Sequence, residues 1–151
     1  MFSRLFQILI CLTLFTAYSK SGDALSGKWR LDESKAKVAG AHVQSMETDI
    51  NEARVKVVYG GVDAEGKPVG WTVQASVGGN VNGVIGVPGF DAVRCWRTDA
   101  RTVLLKLSRE AEMIGWETLE VSKDGKSLKL TQAKLDAAGK ETTTVSVFAK
   151  E

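Results

Sequence analysis

The sequence predicts an all-β protein: a single antiparallel meander of about eight to ten strands that closes into a barrel. Two observations predict this fold. Apolar and polar residues alternate in short segments after residue 25, and turn-forming residues, many of them glycine, separate these segments. Helical periodicity is hardly visible in the same region. Because a meander of short strands has unpaired edges, closure into a barrel is the favoured arrangement.

The N-terminal stretch predicts export. Arg4 provides a positive start, and residues 5–15 form an apolar run that is too short to span a bilayer. The small residues that a signal peptidase selects follow it: Ala17, Ser19 and Ala24. We therefore expect a signal peptide over 1–24, cleaved near 19–24, and one barrel domain over 25–151 in a secreted or periplasmic location.

The predicted strands extend along the whole domain. They are centred on residues 29–31, 42–50, 54–59, 71–77, 92–97, 103–107, 113–121, 128–130 and 142–149. The clearest alternation lies in 71–77, and the clearest hairpin turn is at Asp124-Gly125. Within 113–121 the apolar residues change parity between Trp116 and Leu119, which predicts a bulge there.

The glycine-rich segment 78–89 has a different character. It predicts a flexible hairpin, and its apolar residues Val84 and Ile85, with the following Phe90, are candidates for a lid over the barrel mouth. It is not a phosphate-binding loop, because no Lys-Ser or Lys-Thr follows it and no helix begins after it.

Composition argues against several functions. The formal charge is +2, far below the basic excess of nucleic-acid-binding proteins, and no stretch after the leader is apolar enough for a stable membrane span. Cys11 lies in the leader, so Cys95 has no disulfide partner in the mature chain. His42 is the single histidine and has no acidic partner at a fixed spacing. We therefore expect no enzyme activity, no metal and no cofactor.

Several segments resemble small exported bacterial proteins with a lipocalin-like, calycin-type domain. The matching pieces are Gly27-Lys28-Trp29-Arg30-Leu31-Asp32 with Ser34-Lys35 and Lys37, residues 62–69 before Trp71, Arg97 before Asp99, and residues 121–128. The resemblance covers most of the mature chain. It implies a lipocalin-like barrel and no particular activity.

The candidate ligand-binding residues are Tyr59, Trp71, Val73 and Arg97. The two aromatic residues combine ring area with a polar tip, and Arg97 shares the parity of the inward-facing Cys95 at a strand end. Arg97 is expected either to hold a ligand carboxylate or to stack on Trp29, which we expect to plug the closed end.

The sequence thus predicts an exported barrel that binds a small, largely apolar molecule in its interior. The alternative is a solid-core structural or protein-interaction module without a ligand. Interior volume distinguishes the two, because a ligand pocket is usually several hundred Å³ and a packed barrel leaves only voids near the size of water. The sequence leaves the ligand and the oligomeric state open.

Overall fold

A computed structural model describes residues 22–36, 39–87 and 89–151. The predicted signal peptide lies outside the described residues up to residue 21. The strands are β1 (Gly27–Leu31), β2 (His42–Ile50), β3 (Arg54–Val62), β4 (Pro68–Ser76), β5 (Asn82–Gly83), β6 (Ala92–Asp99), β7 (Thr102–Arg109), β8 (Glu112–Val121), β9 (Ser127–Leu135) and β10 (Glu141–Lys150). The described part of the chain contains no helix, and so none that would cross a membrane. The all-β prediction is confirmed.

The strands form one antiparallel sheet in the order β4-β3-β2-β1-β10-β9-β8-β7-β6-β5. The sheet curls because the first and last strands of the chain pair with each other, Trp29 opposite Lys150 and Leu31 opposite Phe148. Two edges remain, at β4 and β5. They approach each other where the backbone N–H and hydroxyl of Ser76 donate to Asn82 Oδ1, both at 3.2 Å. The result is a nearly closed meander barrel, as predicted.

Residues 77–87 and 89–91 lie between β4 and β6 in the chain, and β6 runs parallel to β4. An isolated parallel bridge joins Val77 to Cys95, and the N–H groups of Gly78 and Gly79 donate to the Cys95 carbonyl at 3.0 and 2.9 Å. The two-residue β5 pairs antiparallel with the start of β6. The glycine-rich segment therefore holds the last seam of the barrel by a few hydrogen bonds.

Alternation along each strand sends one set of side chains inward, where they pack solidly in one half of the barrel. The largest fully buried members of this core are Trp29, Tyr59, Phe148, Leu25, Leu105, Leu119, Leu128 and Leu130. We call this half the closed end. It lies beside residues 22–26, the β2–β3 turn and the β8–β9 turn.

The bulge in β8 lies elsewhere than predicted. Leu107 pairs with Gly115 but Ser108 pairs with Met113, so Ile114 is the extra residue. The prediction between Trp116 and Leu119 was wrong because Trp116 faces outward. Gly115 follows the bulge, and a Cβ there would lie 2.2 Å from the Ala133 carbonyl oxygen, so β8 and β9 can approach this closely only at a glycine.

Candidate functional site

The other half of the barrel contains a cavity of about 580 Å³ that is open to solvent. It is bounded by strand ends: the start of β2, β4 and β8 and the end of β3, β7 and β9. Its apolar wall consists of Val43, Val62, Val69, Trp71, Phe90, Leu107, Ile114 and Leu135. We call this half the open end. Because the closed end is filled by core side chains, the cavity is a pocket with a floor and not a channel.

A buried polar cluster forms the floor of the cavity. Tyr59 on β3 donates its hydroxyl to Glu117 Oε2 at 2.7 Å, which links opposite walls of the barrel. Gln132 on β9 donates its amide to Glu117 Oε1, also at 2.7 Å. Glu117 and Gln132 both line the cavity, whereas Tyr59 lies beneath it and is fully buried. Each carboxyl oxygen of Glu117 therefore has one protein donor.

Trp71 covers the ring of Tyr59. The two rings are stacked, with centroids 5.0 Å apart and an angle of 12° between their planes. They are direct cross-strand partners on β3 and β4, the spacing at which aromatic pairs stabilise a sheet. Trp71 is only partly buried and lines the cavity. One aromatic face is therefore available to a ligand in the cavity that Glu117 also lines.

Burial raises the pKa of Glu117 above its ordinary value. The hydrogen bonds from Tyr59 and Gln132 and the charge of Lys134 act in the opposite direction, because each favours the carboxylate. Burial and the neighbouring Glu117 also raise the pKa of Tyr59 well above its ordinary value, so its phenol remains a hydrogen-bond donor. Glu117 is therefore a titratable group at the cavity floor, in nonpolar surroundings.

Charged and polar side chains surround the mouth. His42, Asp63, Arg109 and Lys134 line it. Asp63 is engaged in its own turn, accepting the backbone N–H groups of Glu65 and Lys67. His42 lies 2.7 Å from the Gly40 carbonyl oxygen through Nδ1. Arg109 and Lys134 are exposed and form no ion pair within the described ranges.

The structure places the three lid candidates differently from one another. Phe90 lines the cavity and packs on the core. Val84 is partly buried against the core, and its N–H donates to the Asp91 carbonyl at 2.9 Å. Ile85 is 98% exposed and does not line the cavity. Of the three, Phe90 alone lies at the cavity wall.

Arg97 lies at the closed end, away from the cavity. Its guanidinium forms an ion pair with Asp23, and it also donates to the carbonyl oxygens of Asp99 at 3.2 Å and Ala100 at 2.7 Å. Both partners of the ion pair are largely buried, with 18% and 15% of their side chains exposed. The structure therefore does not bring Arg97 together with Tyr59 and Trp71. Val73 is fully buried and is not part of the cavity wall.

Trp29 plugs the closed end. It is fully buried, and its Nε1 donates to Thr48 Oγ1 at 2.9 Å. Thr48 in turn donates to the Leu25 carbonyl. The cation over the indole ring is Lys150, whose Nζ lies 5.0 Å from the ring centroid. Lys150 therefore occupies the position over Trp29 that was one of the two expectations for Arg97.

The described residues show no arrangement typical of a catalytic or metal site. Burial raises the pKa of the Cys95 thiol to about 11, so it is not a nucleophile near neutral pH. No group of three or more His, Cys, Asp or Glu side chains is close enough to hold a metal ion in the part of the chain that the structure describes.

Glu117 and Gln132 are the site residues that sequence reasoning missed. The bulge predicted between Trp116 and Leu119 left the direction of Glu117 unassigned, whereas the bulge in the structure lies at Ile114 and leaves 115–121 in one parity. A signal was present: Gly115, Glu117, Leu119 and Val121 alternate without interruption, and a carboxylate within such a row indicates a buried polar group.

No family model matches the sequence, and no curated protein matches it significantly. Among solved structures, the chain is similar to a deswapped triple mutant of a bovine odorant binding protein. The two are 16% identical, the alignment covers 85% of this chain and 74% of that chain, and the TM-score is 0.43. The barrel assignment above depends on strand pairing and not on this likeness.

Proposed function

We propose that this protein is an exported, lipocalin-like barrel that binds a small, largely apolar molecule in the cavity at its open end. The observation that supports binding most directly is the cavity volume of about 580 Å³, within the usual range for small-molecule sites. A solid-core module would leave only voids near the size of water. The apolar wall, with a few polar groups at the floor, is also typical of such sites. No reaction is proposed.

Titration with a neutral fluorescent naphthylamine tests this proposal. We expect saturable one-to-one binding by the wild type and at least tenfold weaker binding by Leu107→Trp, which places a large ring in the cavity wall. Leu104→Trp on the same strand is the matched control, because Leu104 has the opposite parity and does not line the cavity. We expect its affinity to remain within twofold of wild type, and circular dichroism reports whether both variants fold.

An absence of saturable binding by the wild type would contradict the proposal and favour the interaction module. Equal binding by both leucine variants would place the dye on the surface, for example at the exposed Ile85, and would also contradict it. Native mass spectrometry of protein purified from its own host would identify a retained molecule.

The contacts of residues 23–26 bear on the proposed export signal. Leu25 is fully buried, and Asp23 pairs with Arg97. The Ser26 hydroxyl donates to the Ile50 carbonyl and accepts the Ile50 N–H. Cleavage after residue 24 would remove Asp23 from the folded domain. We therefore propose cleavage after Ser19, where small residues occupy 17 and 19.

N-terminal sequencing of extracytoplasmic protein checks the cleavage site. We expect Lys20 as the first residue. Recovery of Met1 would contradict export by a cleaved signal, and a start at Leu25 would contradict the structural role of Asp23.

A further inference from the structure

We infer that the cavity selects an organic amine: an apolar molecule whose protonated nitrogen pairs with the Glu117 carboxylate beside the Trp71 ring. This inference rests on the proposed binding function and names the chemical class of the ligand. It stands on the position of Glu117 at the cavity floor, where a carboxyl group is buried and also lines the space available to a ligand.

The hydrogen bonds of Glu117 leave capacity for a ligand. An ionised carboxylate offers about four acceptor positions on its two oxygens, and Tyr59 and Gln132 occupy one on each oxygen. Both protein partners are donors, so they favour the ionised, accepting form that an ammonium needs and oppose the effect of burial. A ligand carboxylate at the same place would meet like charge, which is strongly unfavourable in a nonpolar setting.

The aromatic pair favours the same class. One face of the Trp71 ring is turned to the cavity, and the other face stacks on Tyr59. Aromatic faces attract cations, and the interaction strengthens when both groups are shielded from water. A ligand whose ammonium group binds Glu117 can therefore place either its charge or its adjoining apolar part against this aromatic face.

Other charged groups around the cavity are weaker influences on a bound ligand. Arg109 and Lys134 are exposed, and Asp63 and His42 lie at the mouth with them. The interaction between two charges weakens as the effective dielectric constant around them rises toward that of water. Glu117 is buried, whereas the charges at the mouth are solvated and screened by salt. The carboxyl group at the floor therefore determines which charge on a ligand is preferred.

Binding of an amine also changes the number of protons bound to Glu117. Burial raises the pKa of Glu117 in the free protein, so the fraction that is protonated releases its proton to solvent when the ammonium binds. Burial and the neighbouring Glu117 raise the pKa of Tyr59, so its phenol keeps its proton, and the hydrogen-bond partner of His42 is the Gly40 carbonyl and not Glu117. No bond other than this O–H bond is broken.

The test is calorimetric titration at pH 7 with three matched compounds: 4-phenylbutylamine, 4-phenylbutanol and 4-phenylbutyrate. For the wild type we expect the amine to bind at least tenfold more tightly than the alcohol, and the acid most weakly. Glu117→Gln is expected to remove the preference, weakening the amine at least tenfold while the alcohol changes less than twofold. Glu120→Gln is the control, because Glu120 lies on the same strand and pairs with Lys129 on the outer surface.

The outcomes separate the two proposals. Failure of all three compounds and of the neutral dye to bind would overturn the proposed function itself. Binding of the alcohol or the acid as tightly as the amine would overturn only the amine inference, and tightest binding of the acid would assign selectivity to Arg109 and Lys134. The wild-type series decides this even if Glu117→Gln does not fold.

Discussion

Replacement of Trp29 by alanine removes the largest side chain of the closed end. Its indole is fully buried and makes one hydrogen bond, to Thr48. Truncation of a buried tryptophan costs about 3–5 kcal/mol through lost burial and the cavity left behind. That figure includes about 1 kcal/mol for the hydrogen bond. Since domains are stable by about 5–15 kcal/mol, we expect Trp29→Ala to remove roughly a fifth of the total or more.

Urea unfolding followed by circular dichroism measures this loss without depending on tryptophan fluorescence. Trp116→Ala is the control, because Trp116 is a partly buried outward residue whose Nε1 makes only a long contact of 3.4 Å to Glu141. We expect it to cost about 1 kcal/mol, because less apolar area is lost. A loss below 1 kcal/mol for Trp29→Ala, or equal losses for the two variants, would refute the assignment of Trp29 as the plug of the closed end.

Three further predictions concern other buried groups. Arg97→Gln breaks the ion pair with Asp23 at the closed end, so we expect about 1–3 kcal/mol lower stability but dye affinity within twofold of wild type. A selective loss of acidic ligands would instead place Arg97 in the site. The Cys95 thiol, with a pKa of about 11, is expected to react with a thiol reagent at pH 8 only after urea is added, and rapid reaction of the folded protein would show that it is accessible. Burial raises the pKa of Glu117 above 4.5, so the folded state binds that proton more tightly than the unfolded chain does. We therefore expect the free energy of unfolding of wild type, relative to Glu117→Gln, to fall as the pH rises from 4.5 through the folded-state pKa. Urea midpoints between pH 4 and 8 measure this difference, and a constant difference would show that Glu117 has its ordinary pKa.

Local patterns determined the fold class. Alternation in 71–77 appears as the buried Val73 and Ala75 between exposed neighbours, and the turn at Asp124-Gly125 joins β8 to β9 with Gly125 at a φ of 70°. Such features depend on neighbours in sequence: a strand with one buried face must alternate, and a tight turn needs a residue that tolerates positive φ. They could therefore be predicted residue by residue. The cleavage site and the 1–24 leader stay predictions.

Only the tertiary structure decided which residues form the site, for two physical reasons. The strand β6 runs parallel to β4, so Arg97, for which an inward parity was predicted, lies at the closed end and not at the cavity. Glu117 shares the inward parity of Leu119 and Val121, but its partner Tyr59 lies 58 residues away in the chain and meets it only because the sheet curls. Direction around a barrel and register across strands arise from pairing between distant segments, which alternation within a single strand does not encode.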